Sequence, residues 1–166
     1  MGWMADETGL GRTAANHVPL TPLSFLIRAA QVFSDHTAVV YGPHRKTYAE
    51  YIDRVTRLAS ALAQRGVRPG DVVATLLPNI PAQAEAHFGV PAGGAVLNTI
   101  NVRLDVDTVA YILGHGQAKV LLCDTQFLPL AEAAIERLEG PAPVLIECSD
   151  HAAGFPATGR FPEYEE

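Results

Sequence analysis

Four short apolar runs recur down the chain. Val72–Leu77, Ala95–Thr99, Lys119–Cys123 and Val144–Cys148 begin 23, 24 and 25 residues apart. Each is strand-sized and rich in β-branched or large aliphatic residues, and each is separated from the next by a stretch with apolar residues at helical spacing. A run such as VVATLL has no polar alternation, so it fits a strand covered on both faces rather than a sheet with one wet side. The rhythm predicts an α/β fold: a mostly parallel open sheet flanked by helices, with right-handed crossovers.

Upstream of the repeat, Thr21-Pro22 opens a helix with Leu23, Leu26, Ile27 and Ala30 on its apolar stripe. Thr37–Tyr41 and Lys46–Tyr48 flank a Gly42-Pro43 turn and form a short β-hairpin near the N-terminus. Thr47 and Glu50 have capping-box spacing, and a helix follows to about Arg65, where Gly66 stops it. The arginines between Arg54 and Arg68 are placed on a solvated helix face. Further on, Asn79 is expected to cap a helix with Pro81 in its first turn, and Pro91 to kink or end it. Close packing is expected of Gly93 and Gly94. Asp105 or Asp107 caps the next helix, and Gln126–Leu138 forms the last. The predicted organisation is an irregular arm over 1–20, an α/β subdomain over 21–148, and a truncated acidic loop or linker over 149–166.

Composition limits what such a chain does. Apolar residues make up 48%, enough for a core, and the net charge is −6. A chain this acidic, with Lys46 and Lys119 as its two lysines, is not expected to bind nucleic acid. No apolar stretch approaches the roughly 18 residues of a membrane span, and the first residues lack a secretory signal. Cys123 and Cys148 end apolar runs and read as buried reduced thiols; a disulfide between them requires neighbouring strands to bring them together. The expected compartment is the cytoplasm.

Chemistry-bearing strings are sparse. There is no GxxxxGK[ST], no GxGxxG after a strand and no GxSxG. The first two absences disfavour a phosphate loop and a nicotinamide or flavin Rossmann protein. No cysteine or histidine spacing suggests a metal site. Asn101 and Arg103, on the strand-to-helix turn at the carboxyl edge of the sheet, are the candidate ligand contacts, with loop bracing as the competing role.

Several stretches, taken as a set, resemble the opening of the acyl-CoA synthetases of the adenylate-forming, AMP-binding superfamily. They include Pro19–Leu26 with Arg28-Ala29-Ala30, Thr47–Glu50 with Arg57–Leu62, Gly66 to Ala74, Leu77–Pro81 and Glu85–Pro91. Gly94–Asn101 with Arg103-Leu104 completes the pattern. The likeness covers about residues 17–128 and is weaker to 148. It implies a parent that uses ATP, Mg and CoA to convert a fatty acid or related carboxylic acid to acyl-CoA through an acyl-adenylate. The family's Ser/Thr/Gly phosphate loop ending in Pro-Lys-Gly, its aromatic-Gly-x-Thr-Glu segment, its ribose-binding aspartate and its C-terminal lysine do not occur here. No catalytic or cofactor-binding residue is therefore carried over. The resemblance implies an N-terminal portion, inactive alone, whose partners are the remainder of the synthetase chain and a homodimer mate near the N-terminal arm. The alternative is a stand-alone, non-catalytic α/β binding or interaction protein.

Overall fold

The computed structural model describes residues 11–18 and 20–166. Most of the expected N-terminal arm lies outside the described residues. From Thr21 onward, α1 (Pro22–Val32) leads to a hairpin of β1 (Thr37–Tyr41) and β2 (His44–Thr47). Then follow α2 (Tyr48–Gln64), β3 (Val72–Leu76), α3 (Pro81–Ala92), β4 (Val96–Thr99), α4 (Val106–His115), β5 (Ala118–Asp124), α5 (Leu128–Ile135) and β6 (Val144–Cys148). The four later strands form one sheet in the order β4-β3-β5-β6, parallel throughout. The expected α/β architecture, parallel sheet and N-terminal hairpin are all present.

Strand alternation divides the core into two layers. Val73, Leu77, Val120, Leu122, Ile146 and Cys148 face Leu58 and Leu62 of α2 and Ala82, Ala86 and Val90 of α3. Ala74, Leu76, Leu121, Cys123 and Leu145 face Val109 and Leu113 of α4 and Leu128, Ala131 and Ala134 of α5. Apart from the exposed Lys119, every position of β3 and β5 is buried or half-buried between these layers, which is why both strands read as near-continuous apolar runs. The same alternation separates the cysteines. Their strands are neighbours, but Cys123 and Cys148 lie in opposite layers; both thiols are free and buried. Where α2 and α3 cross, Gly89 lets the helices close up, since a Cβ there would meet Leu58 Cδ2 at 2.7 Å.

Local signals placed some helix ends and missed others. Thr47 and Glu50 form a complete capping box, Asp105 caps α4, and Gly66 takes φ +82 after α2. Asn79 does not cap α3. The N-cap position is Ile80, with no side-chain bond, because Pro81 fixes the first helical residue one step beyond the reach of Asn79. Pro91 sits in the last turn of α3, and the helix ends at Ala92. Of the two glycines expected to pack closely, Gly94 does so: it adopts φ +75, accepts from Gly70 N at 2.9 Å and lies against Pro69. The last helix is shorter than expected. A 3₁₀ turn over Thr125–Phe127 precedes α5, because Pro129 has no N–H to continue a helix begun at Gln126.

The acidic C-terminal segment is not a detached linker. Glu147 N donates to Pro162 O at 2.9 Å and Tyr164 N donates to Glu147 O at 2.8 Å, so residues around Glu163 run parallel beside β6. They cover what would otherwise be an open sheet edge. Tyr164 packs against the α2/α3 layer and Phe161 against the other.

Candidate functional site

The chain leaves β3 through α3 on one face of the sheet and leaves β5 through α5 on the other. The carboxyl ends of β3 and β5 therefore bound a topological switch point, the position at which open α/β sheets offer a crevice. Asp124 stands at the end of β5 and Asp150 just beyond β6. Asn101 and Arg103 lie farther out, past the end of edge strand β4. Asn101 Oδ1 accepts from Arg103 N at 3.0 Å, and both residues are exposed. The Asn101 side chain thus braces the turn.

Asp124 is fully buried. Its Oδ1 accepts from Gln126 N at 2.9 Å, while Oδ2 has no protein partner. Burial pushes its carboxyl above the usual aspartate range against the pull of the Gln126 bonds, and the nearby Asp150 carboxylate adds to the rise. Asp150 is itself held by the Tyr41 hydroxyl, whose pKa is raised to about 12 by that hydrogen bond and by burial. A carboxyl with a raised folded pKa favours the fold below its unfolded pKa, near 3.8, and that contribution is lost as pH rises through the folded value. Asp124→Asn is therefore expected to keep stability at pH 7 unchanged or raise it by about 1 kcal/mol, and to remove the fall in stability that accompanies Asp124 ionisation as pH rises. Urea unfolding at pH 5 and pH 8 measures both; a loss beyond about 1 kcal/mol at neutral pH rejects this account.

A second set of charges ties four segments together. Glu85, in the middle of α3, is 1% exposed. It receives Lys46 Nζ at 2.9 Å from β2, Arg54 Nε at 3.1 Å and Nη2 at 2.9 Å from α2, and Tyr164 Oη at 2.8 Å from the C-terminal segment. Arg54 also grips Glu165, and its guanidinium lies 5.5 Å from the centroid of the Tyr164 ring. Burial alone raises the Glu85 pKa, but the bonds from Arg54, Lys46 and Tyr164 outweigh it and hold the carboxylate below its usual range. Arg54 is thus not the solvated arginine the sequence suggested. Its helix faces the one carboxylate of α3, and Tyr164 and Glu165 of the C-terminal segment add their bonds to the pair.

The remaining polar groups are similarly committed. Glu147, buried in β6, accepts from Thr125 Oγ1 at 3.1 Å, Thr158 N at 2.6 Å and Thr158 Oγ1 at 2.8 Å. Lys119 is held by Asp71 at 2.8 Å and by the Gly66 carbonyl. Burial pushes both cysteine thiols well up, which opposes thiolate formation. Among the described residues, no group of three or more His, Cys, Asp or Glu side chains could hold a metal ion. Both lysines are engaged by carboxylates, Lys46 by Glu85 and Lys119 by Asp71.

The AMP-binding enzyme family profile matches residues 26–161. This chain belongs to that family. It is 46% identical over 161 residues to the peroxisomal acetate/butyrate–CoA ligase of Arabidopsis thaliana, covering 93% of this chain and 28% of that protein. It is 46% identical over 129 residues to the peroxisomal trans-cinnamate:CoA ligase of Petunia hybrida, covering 78% of this chain and 23% of that one. A Rhodopseudomonas palustris structure assigned as a long-chain-fatty-acid CoA ligase superposes with a TM-score of 0.77 at 30% identity, over 88% of this chain and 35% of that chain. The chain therefore spans about a quarter to a third of the length of such relatives. Acyl-CoA-ligase kinship, expected from the resemblance of separate sequence stretches, holds across the fold. No described helix is long and apolar enough to cross a membrane.

Proposed function

We propose that this AMP-binding-family chain forms the N-terminal scaffold of an ATP-dependent acid–CoA ligase, and that it does not activate acids alone. The 46% identity to an acetate/butyrate–CoA ligase across 93% of the chain carries the reading. Two physical observations support the inactive part. The family's phosphate-gripping strings do not occur in the sequence, and both lysines are paired with carboxylates, Lys46 with Glu85 and Lys119 with Asp71. The substrate is a monocarboxylic acid. Relatives named for acetate, butyrate and trans-cinnamate widen that class beyond fatty acids. In this reading ATP, magnesium and CoA are handled by the rest of a longer protein, and that remainder is the partner of this chain.

ATP–pyrophosphate exchange with acetate, butyrate, cinnamate and a long-chain acid tests the proposal. The purified chain is expected to give no exchange above a protein-free blank. A full-length protein carrying this sequence is expected to exchange with at least one acid and to form its CoA thioester. Exchange by the isolated chain overturns the scaffold reading; a full-length protein inactive on every acid overturns the ligase reading and favours the stand-alone binding protein. For compartment, the cytoplasm remains our reading, supported by two free buried thiols. The peroxisomal names of relatives make that organelle the competing outcome when the tagged protein is imaged.

A further inference from the structure

Residues 156–166 are attached by different forces from those that build the sheet they cover. The sheet lies between two apolar layers. In the covering segment only Phe161, Glu163 and Tyr164 are not exposed. Two main-chain bonds, both through Glu147, join it to β6. The rest of its polar attachment runs through carboxylates. Glu147 accepts from Thr158 N and Oγ1, Glu163 accepts from Ser149 Oγ at 2.7 Å, and Glu85 accepts from Tyr164 Oη. Glu165 pairs with Arg54, and Arg160 with Glu132.

Two features of β6 depend on that cover. Its main chain is shared: the Glu147 N–H and C=O turn outward to the segment, so those of Ile146 turn inward to β5, where Ile146 pairs with Leu122. Its last side chain, Cys148, is 1% exposed and shares the wall of a cavity of about 240 Å³ with Glu163 and Tyr164. Cys123 is buried as deeply, but it lies in the opposite layer on β5, with β6 between it and the segment.

We propose that residues 156–166 are a strap that opens as a unit while the parallel sheet stays folded, freeing the backbone edge of β6 at Glu147 and uncovering the Cys148 thiol. Segments with little buried apolar surface and solvent-facing backbone open more readily than the core they rest on. When the strap lifts, the two apolar layers lose only Phe161 and Tyr164, and its polar groups pass to water. The closed strap keeps Cys148 inert; the open strap leaves both a thiol and an unpaired strand edge at the end of β6.

Hydrogen exchange in the ¹⁵N-labelled chain tests this within a single strand. The Glu147 and Tyr164 amides are expected to share one opening constant, at least roughly tenfold larger than that of the Ile146 amide. Theirs should stay constant up to about 1 M urea while the Ile146 value grows, because a local opening exposes little surface. N-ethylmaleimide is expected to label Cys148 at least roughly tenfold faster than Cys123, read by peptide mass mapping. Tyr164→Phe removes only the hydroxyl that Glu85 holds, and should raise Glu147 exchange and Cys148 labelling about tenfold. Glu147 and Ile146 exchanging together, both thiols reacting at one rate, or Cys148 labelling unchanged in Tyr164→Phe overturns the proposal. The unmodified chain supplies the first two comparisons, so they stand even if the variant fails to fold. Opening is read directly on this chain, so an inactive full-length ligase leaves the result unaffected.

Discussion

Glu85→Ala is expected to lower folding stability by about 3–5 kcal/mol, among the largest effects of any single substitution in this chain. The cost arises less from the lost attraction than from what remains. Arg54 and Lys46, with side chains 23% and 26% exposed, would face an apolar helix with no carboxylate, and the Tyr164 hydroxyl would lose its acceptor. Glu165 continues to hold Arg54 from the solvent side, which keeps the effect below complete unfolding. Thermal unfolding should fall by roughly 6–20 °C for a chain of this size, and urea unfolding should give the free energy. A loss under about 1 kcal/mol would show that the cluster is only a surface pair.

The same cluster sets the direction of a pH effect. Glu85 titrates lower in the folded chain than its ordinary value of 4.5. Its contribution is therefore complete above about pH 4.5 and is lost as pH falls through the lower folded value. Asp124 acts in the opposite sense, because its folded pKa is raised. Acid unfolding of the Glu85→Ala variant should accordingly be shallower than that of the parent chain, and that of Asp124→Asn steeper.

How much of this could be read from sequence depended on how local the cause was. The strands were legible because burial on both sides leaves unbroken apolar runs, and β6 runs over Val144–Cys148 as the pattern predicts. The Thr47/Glu50 box was legible because both partners lie within one turn. The charge cluster was not, since Glu85 meets partners 31, 39 and 79 residues away in sequence. One trace of it was present: Glu85 is the single formal charge in the stretch Pro81–Pro91, on a helix otherwise built from small and apolar residues around Gln83 and His87. Docking of the C-terminal segment was hidden for a related reason. Glycine, proline and acids dominate it, and the contacts that hold it come from Phe161, Tyr164 and backbone bonds to β6 rather than from any periodic pattern.

The two-sided sheet makes its own prediction at the centre of β5. Leu121 pairs in register with Ala74 and Leu145 and points into the α4/α5 layer; Leu122 pairs with Thr75 and Ile146 and points into the α2/α3 layer. Both are fully buried. Leu121→Ala and Leu122→Ala are each expected to cost about 2–5 kcal/mol, because each leaves a void in a layer whose backbone is held on both sides by neighbouring strands and cannot collapse into it. Val96→Ala provides the contrast. Val96 is also a strand residue, but it lies on edge strand β4 with 52% exposure, and its replacement should stay within about 0.5 kcal/mol. A sheet with one solvated face would give one large and one small value for the adjacent leucines. Two large values in urea unfolding require helices packed on both sides, and a value under about 1 kcal/mol for either leucine would remove the layer it tests.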